Sequence, residues 1–156
     1  MRRLPFLLVL LATIAVGWAK AAFAGVDPPS ASHARRGSTL AQKVVAFTRR
    51  QVGVPYSWGG TSRSTGFDCS GLVYAAYRSI GWTIPRSSWD QLRAGRPVGF
   101  ARLRPGDLVF TEGGGHVQLV VSSSAAVSAP QTGERVSYVP LAQLRLQFAG
   151  ARRLLR

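Results

Sequence analysis

Residues 68–81 read Asp68-Cys69-Ser70-Gly71-Leu72-Val73-Tyr74-Ala75-Ala76-Tyr77-Arg78-Ser79-Ile80-Gly81. Leu72, Val73, Ala76, Tyr77 and Ile80 share one face of a 3.6-residue period and Gly81 ends the run, so the stretch predicts a helix with Cys69 at or beside its N-terminus. Unpaired backbone N–H groups and the positive end of the helix dipole stabilise an anion there, which predicts a thiol of lowered pKa that is primed to attack. Cys69 is the only cysteine in the chain, so the fold stands on its apolar core without an internal disulfide. A buried structural cysteine is the competing reading. The polar and small neighbours Asp68, Ser70 and Gly71 fit that poorly.

Upstream, Val54-Pro55-Tyr56-Ser57-Trp58-Gly59-Gly60 combines proline and paired glycines with two aromatics, which predicts a loop with aromatic walls or a small satellite core beneath it. Thr61 to Gly66 reads as a polar turn. Before it, Thr39 and Gln42 fit a capping box and Leu40, Val44, Phe47 and Gln51 recur at helical spacing, predicting a first helix over 39–51. Downstream, Ser87 to Leu92 and Pro140 to Leu144 read as helical turns. The runs 107–111, 116–122, 125–129 and 135–139 read as a four-strand meander, with a last strand over 147–154. Helices followed by strands predict an α+β fold with an antiparallel sheet of about five strands.

A thiol nucleophile needs a base, and the chain holds two histidines. His33 lies in a Pro-, Ser- and Ala-rich stretch over 25–38, read as a flexible linker, and is given no role. His116 follows three glycines and opens an apolar strand, so its ring is expected at a sheet edge beside a loop flexible enough to admit a substrate. That is where a Cys-His pair closes.

The N-terminus shows Arg2 and Arg3, an apolar run over Leu4–Ala19, Lys20, and the small-x-small pattern Ala22-Phe23-Ala24. This predicts a signal peptide over 1–24, its apolar run too short for a membrane-spanning helix, and a single domain over 39–156. The expected location is secreted, periplasmic or cell-wall, with no stable membrane span after processing. With Arg2, Arg3 and Lys20 removed, 17 of the 20 basic side chains remain against 6 acidic ones, a net charge of +11. Such a balance favours polyanions, here anionic cell-wall polymers. No recognition helix, zinc spacing or aromatic-basic ladder points to nucleic acid. One cysteine and one domain histidine cannot build the usual metal site. No nucleotide loop occurs, so no cofactor is expected, and a monomer is.

Together, Pro55-Tyr56-Ser57-Trp58-Gly59-Gly60, Asp68-Cys69-Ser70-Gly71-Leu72-Val73, Pro85-Arg86-Ser87 with Gln91, Arg104-Pro105-Gly106-Asp107-Leu108-Val109-Phe110 and Gly115-His116-Val117 resemble, in order and spacing, the NlpC-type peptidoglycan endopeptidases. The likeness runs from about Val44 to the Phe148–Arg153 ending. It implies a papain-like fold whose cysteine helix packs on the sheet, and cleavage of amide bonds in cell-wall stem peptides, typically between D-glutamate and the diamino acid. By position it implies Cys69 as nucleophile and His116 as general base. Tyr56 and the Cys69 N–H would serve the oxyanion, and Asp68 and Ser70 would face the substrate's free amine, although an aspartate before a helix is as often a cap.

One position departs from the pattern. The third polar residue, commonly His and sometimes Asn or Gln, is here Ser128, before Ala129-Pro130. Its shorter side chain is expected to need a bridging water to reach His116, with a slower enzyme if the orienting bond is lost. Gln118, on the same strand face, is a candidate to crowd or replace that contact. The alternatives to an endopeptidase are a non-catalytic or weakly active wall-binding domain of this fold, and an amidase or acyltransferase using the same Cys-His pair.

Overall fold

The computed structural model describes residues 31–156, with side chains from Leu40 onward. The signal peptide expected over 1–24, the first residues of the linker and the side chain of His33 lie outside the described residues. The first helix, α1, covers Ala31–Arg49. It starts inside the stretch read as linker and runs through Thr39, so the capping box expected there is not a helix start. Val44, Val45 and Thr48 face inward, and the Thr48 hydroxyl returns a hydrogen bond to the Val44 carbonyl at 2.9 Å.

A short antiparallel hairpin, β1 (Thr61–Ser62) and β2 (Gly66–Phe67), occupies the segment read as a turn. The helix α2 (Cys69–Arg78) follows directly, with Cys69 as its first residue. Leu72, Val73, Ala76 and Tyr77 form its buried face, as their spacing predicts. Burial of Leu72 and Val73 contributes about 1.5–3 kcal/mol each. Gly71 allows a close approach: a Cβ there would collide with the Gly60 carbonyl, so the first turn of α2 sits hard against the preceding loop.

After α3 (Ser88–Gln91) come β3 (Arg96–Pro97), β4 (Leu108–Thr111), β5 (His116–Val120), β6 (Ala125–Ser128), β7 (Ser137–Pro140), α4 (Leu141–Leu144) and β8 (Gly150–Arg153). The strands form one sheet in the order β3-β8-β4-β5-β6-β7, every pairing antiparallel. The meander β4 to β7 is the one the sequence predicts, and β8 returns to the free side of β4. The sheet has six strands where about five were expected. The extra one, β3, is two residues long, exposed and without apolar alternation, so it carries no periodic signal.

Strand alternation builds two cores. Leu108, Phe110, Val117, Leu119 and Val127 face α1 and α2, whereas Val109, Val120, Ala126 and Ala151 face Leu141, Leu144 and the edge-to-face pair Phe100–Phe148. This α+β sheet with a cysteine helix on one face is the expected architecture. Because β5 lies between β4 and β6, His116 stands at the end of an interior strand and not at a sheet edge.

Asp107 locks the far end of the sheet. Its carboxylate, 1% exposed, accepts Nε and a terminal nitrogen of Arg153 at 2.6 Å each and the Arg104 N–H at 2.8 Å. Tyr77 reaches the same loop from α2, donating to the Gly106 carbonyl at 2.7 Å. Truncation of Asp107 leaves a guanidinium largely buried without its partner, so Asp107→Ala is expected to cost about 3–5 kcal/mol. Urea denaturation checks this, and a loss below about 1 kcal/mol would show the pair to be dispensable.

Candidate active site

Asp68 caps α2 from an extended conformation, accepting the Gly71 N–H at 2.6 Å. The same carboxylate accepts the Gly59 N–H at 2.8 Å and the fork of Arg86 at 3.0 and 2.7 Å. Burial pushes the carboxyl upward, but Arg86 and the two backbone donors outweigh it and hold the group below its ordinary value of 3.8. It is therefore ionised at neutral pH. Ser70 joins the cluster, donating to Asp68 at 3.3 Å and accepting from Arg86 at 2.9 Å. Gln91, wholly buried on α3, donates to the Ser70 carbonyl at 3.1 Å and the Pro85 carbonyl at 2.8 Å. Cys69 thus lies between two residues that are each fixed from several directions.

The Cys69 thiol is partly exposed and meets the N–H groups of Val117 and Ser70. Burial nevertheless pushes its pKa above the ordinary 9.0, with the negative charge of Asp68 adding to the rise. The lowered pKa expected from the helix N-terminus is reversed, because desolvation of the thiolate and the neighbouring carboxylate exceed what those donors return. His116 moves the other way. Burial lowers it below 6.5, and Glu112 only partly offsets this. The resting pair is a neutral thiol and a neutral imidazole.

His116 and Ser128 are brought together directly. Nε2 lies 2.8 Å from the Ser128 Oγ, so the short side chain needs no bridging water. The backbone explains it: β5 and β6 are hydrogen-bonded neighbours, and His116 and Ser128 stand at even offsets from the paired Val120 and Ala126, so both project to the same side of the sheet. Gln118 does not take this contact; its amide turns to Thr111, donating at 3.1 Å. With Nε2 engaged, Nδ1 is the ring nitrogen left for proton exchange. Among the described residues no hydrogen bond joins Cys69 to His116 itself. The link is Val117, next in sequence to the histidine and against the thiol.

Tyr56 closes the same corner. Its pKa is raised by burial and then by the charges of Asp68 and Cys69, so its hydroxyl remains a donor at neutral pH close to both. Trp58, in contrast, is 88% exposed and forms neither satellite core nor closed wall. The triple glycine is not a loose gate. Ser88 donates to the Gly115 carbonyl at 3.1 Å, and a Cβ on Gly114 would strike Leu92 and the Trp89 ring, so these glycines permit close packing under α3.

Arg86, Gln91 and Glu112 make contacts around Asp68, Ser70 and His116 that sequence reasoning did not assign. The first two stand in the Pro85-Arg86-Ser87 and Gln91 pattern, which signals a shared structure but not which partner each one takes. Glu112 has a left-handed backbone, φ 53°, unusual for a non-glycine residue, and bears on His116 electrostatically. Only the three-dimensional turn reveals it.

Residues 53–149 match the NlpC/P60 family. The chain is 40% identical over 116 residues to murein DD-endopeptidase MepH of Escherichia coli, covering 68% of this chain and 43% of that protein. It is 39% identical over 98 residues to a gamma-D-glutamyl-L-lysine dipeptidyl-peptidase of Bacillus subtilis, covering 59% of this chain and 33% of that one. The chain therefore spans less than half the length of these two curated relatives. The solved structure of the peptidoglycan hydrolase RipB from Mycobacterium tuberculosis superposes with a TM-score of 0.70 at 32% identity, covering 84% of this chain and 75% of that one.

The neutral resting pair has a direct reading in thiol chemistry. Alkylation of Cys69 by iodoacetamide is expected to rise with pH to a midpoint above 9, the direction set by burial. A fast plateau already reached below pH 7 would mean that a preformed thiolate is present.

Proposed function

Because the chain belongs to the NlpC/P60 family, we propose that it is a secreted cysteine endopeptidase hydrolysing an amide bond of peptidoglycan stem peptides, between D-glutamate and the diamino acid. The observation that supports it most is the Nε2–Ser128 contact, which fixes the imidazole while Cys69 stands at the start of a capped helix. For His116 to act as base at Nδ1, the hydrogen must sit on Nε2, with Ser128 Oγ as its acceptor.

Cys69 Sγ attacks the carbonyl carbon as its proton passes to His116 Nδ1, a transfer that suits two groups that are neutral at rest. The Cys69 N–H, first in α2 and without an intrahelical acceptor, and the Tyr56 hydroxyl donate to the oxyanion. On collapse the C–N bond breaks, the imidazolium returns its proton to the leaving amine, and a thioester remains. Water, deprotonated by His116, then attacks the thioester carbonyl, and the thiol leaves with the proton. Asp68, held ionised by Arg86, gives the substrate's ammonium a counter-charge, and Ser70 lines the same corner. The relatives' names differ over the bond, one specifying a DD- and another a gamma-D-glutamyl linkage. The resemblance, which implies a free amine facing Asp68 and Ser70, favours the second.

The test is mass spectrometry of defined muropeptides and whole sacculi incubated with the protein. Cleavage at the D-glutamyl bond that vanishes in Cys69→Ala is expected; sacculus binding with no product from either form would sink the proposal. Ser128→Ala is expected to lower kcat about 10–100-fold with KM little changed, as for loss of a hydrogen bond to a group that becomes charged. Since Ser128 already makes its contact, Ser128→His should gain less than about threefold. A larger gain would mean that the serine leaves His116 poorly held.

A further inference from the structure

At the opposite end of β4 from the His116 pair lies a cavity of about 410 Å³ that shares no residue with the candidate active site. Arg96, Arg104, Arg153 and Arg156 line it against a single acidic side chain, Asp107, which is already committed to Arg153. Arg96 stands directly opposite Arg153 in the β3–β8 register. Like charges so placed repel, and Asp107 neutralises only one of them. Among the described residues Arg96 and Arg104 have no acidic partner, and both are exposed at the mouth. The frame is rigid: the Arg104 N–H is tied to Asp107, and the Gly106 carbonyl to Tyr77. Ala41, Pro105 and Leu155 add apolar surface.

We infer that this cavity binds a phosphodiester group of an anionic polyol-phosphate polymer. Guanidinium forks arriving from separate segments suit a tetrahedral phosphate, whose oxygens accept from several directions, better than a planar carboxylate, which one fork satisfies. The apolar surface suits the carbon backbone of a polyol, and the volume is that of a small-ligand site. A membrane surface is the poorer fit. Among the described residues, none of the exposed large apolar side chains Trp58, Trp82, Trp89, Tyr138 and Leu146 lines this cavity. The cavity shares no residue with the candidate active site, so the inference holds whether or not the catalytic reading does.

The test titrates the full chain with synthetic oligo(glycerol phosphate) by calorimetry at moderate salt. R96Q/R104Q is expected to weaken binding at least about tenfold. R50Q/R145Q, which removes the same charge elsewhere, should weaken it less than about threefold. Muropeptide cleavage followed in the same samples should be unchanged in R96Q/R104Q, which separates this site from the catalytic one. Equal losses in both double variants, equal affinity for polyglutamate of matched charge, or no binding would each overturn the inference. So would phosphatidylglycerol vesicles captured through Arg96 and Arg104, which would assign the site to a membrane. A variant-free check is NMR with inorganic phosphate: amide shifts should centre on residues 104–107 and 153–156, and shifts centred elsewhere contradict the site.

Discussion

The placement of Cys69 depends on one carboxylate. Asp68 takes two hydrogen-bond donors from its own helix, one from the loop at Gly59 and two from Arg86. Three chain segments separated in sequence are thereby fixed around the first turn of α2. Each donor also favours the ionised form, so the clasp and the local negative charge are one feature with two effects. It fixes the first turn of α2 around Cys69, and it raises the cost of turning the thiol into a thiolate.

The same economy governs the histidine. Placed at the end of an interior strand, His116 loses water and with it basicity, but gains a fixed neighbour in Ser128 across the β5–β6 pairing. A serine suffices because the two strands are adjacent: the distance a longer side chain would span is already closed by the sheet. The six acidic side chains of this basic chain are sparingly placed. Two of them, Asp68 and Asp107, each hold an arginine, the first beside the cysteine and the second at the arginine-lined cavity.

Much of this was legible in the sequence because it rests on local rules. The spacing of Leu72, Val73, Ala76 and Tyr77 predicts α2 with its buried face, and alternation predicts β4 to β7. Residue type and context single out Cys69 and His116, the family resemblance adds Tyr56 and Ser128, and the fold places Tyr56 beside Cys69 and Ser128 beside His116. What was not legible depends on distance between segments or on burial. The direct reach of Ser128, the Arg86 fork on Asp68 and the packing of Trp89 on Gly114 are tertiary facts. The direction of the Cys69 shift was misjudged because the helix terminus can be read from sequence, whereas desolvation cannot. The strand β3 escaped because Arg96-Pro97 is too short to show a period, and the start of α1 because a polar, proline-containing stretch masks it.

The central claim is that His116 is held with its hydrogen on Nε2 toward Ser128, leaving Nδ1 free for the proton of Cys69. Nitrogen-15 NMR of the histidine-labelled protein across a pH titration measures this directly. The arrangement predicts a neutral imidazole at pH 7 in the Nε2–H form, titrating below 6.5. A hydrogen on Nδ1, or an imidazolium persisting above pH 7, would contradict it.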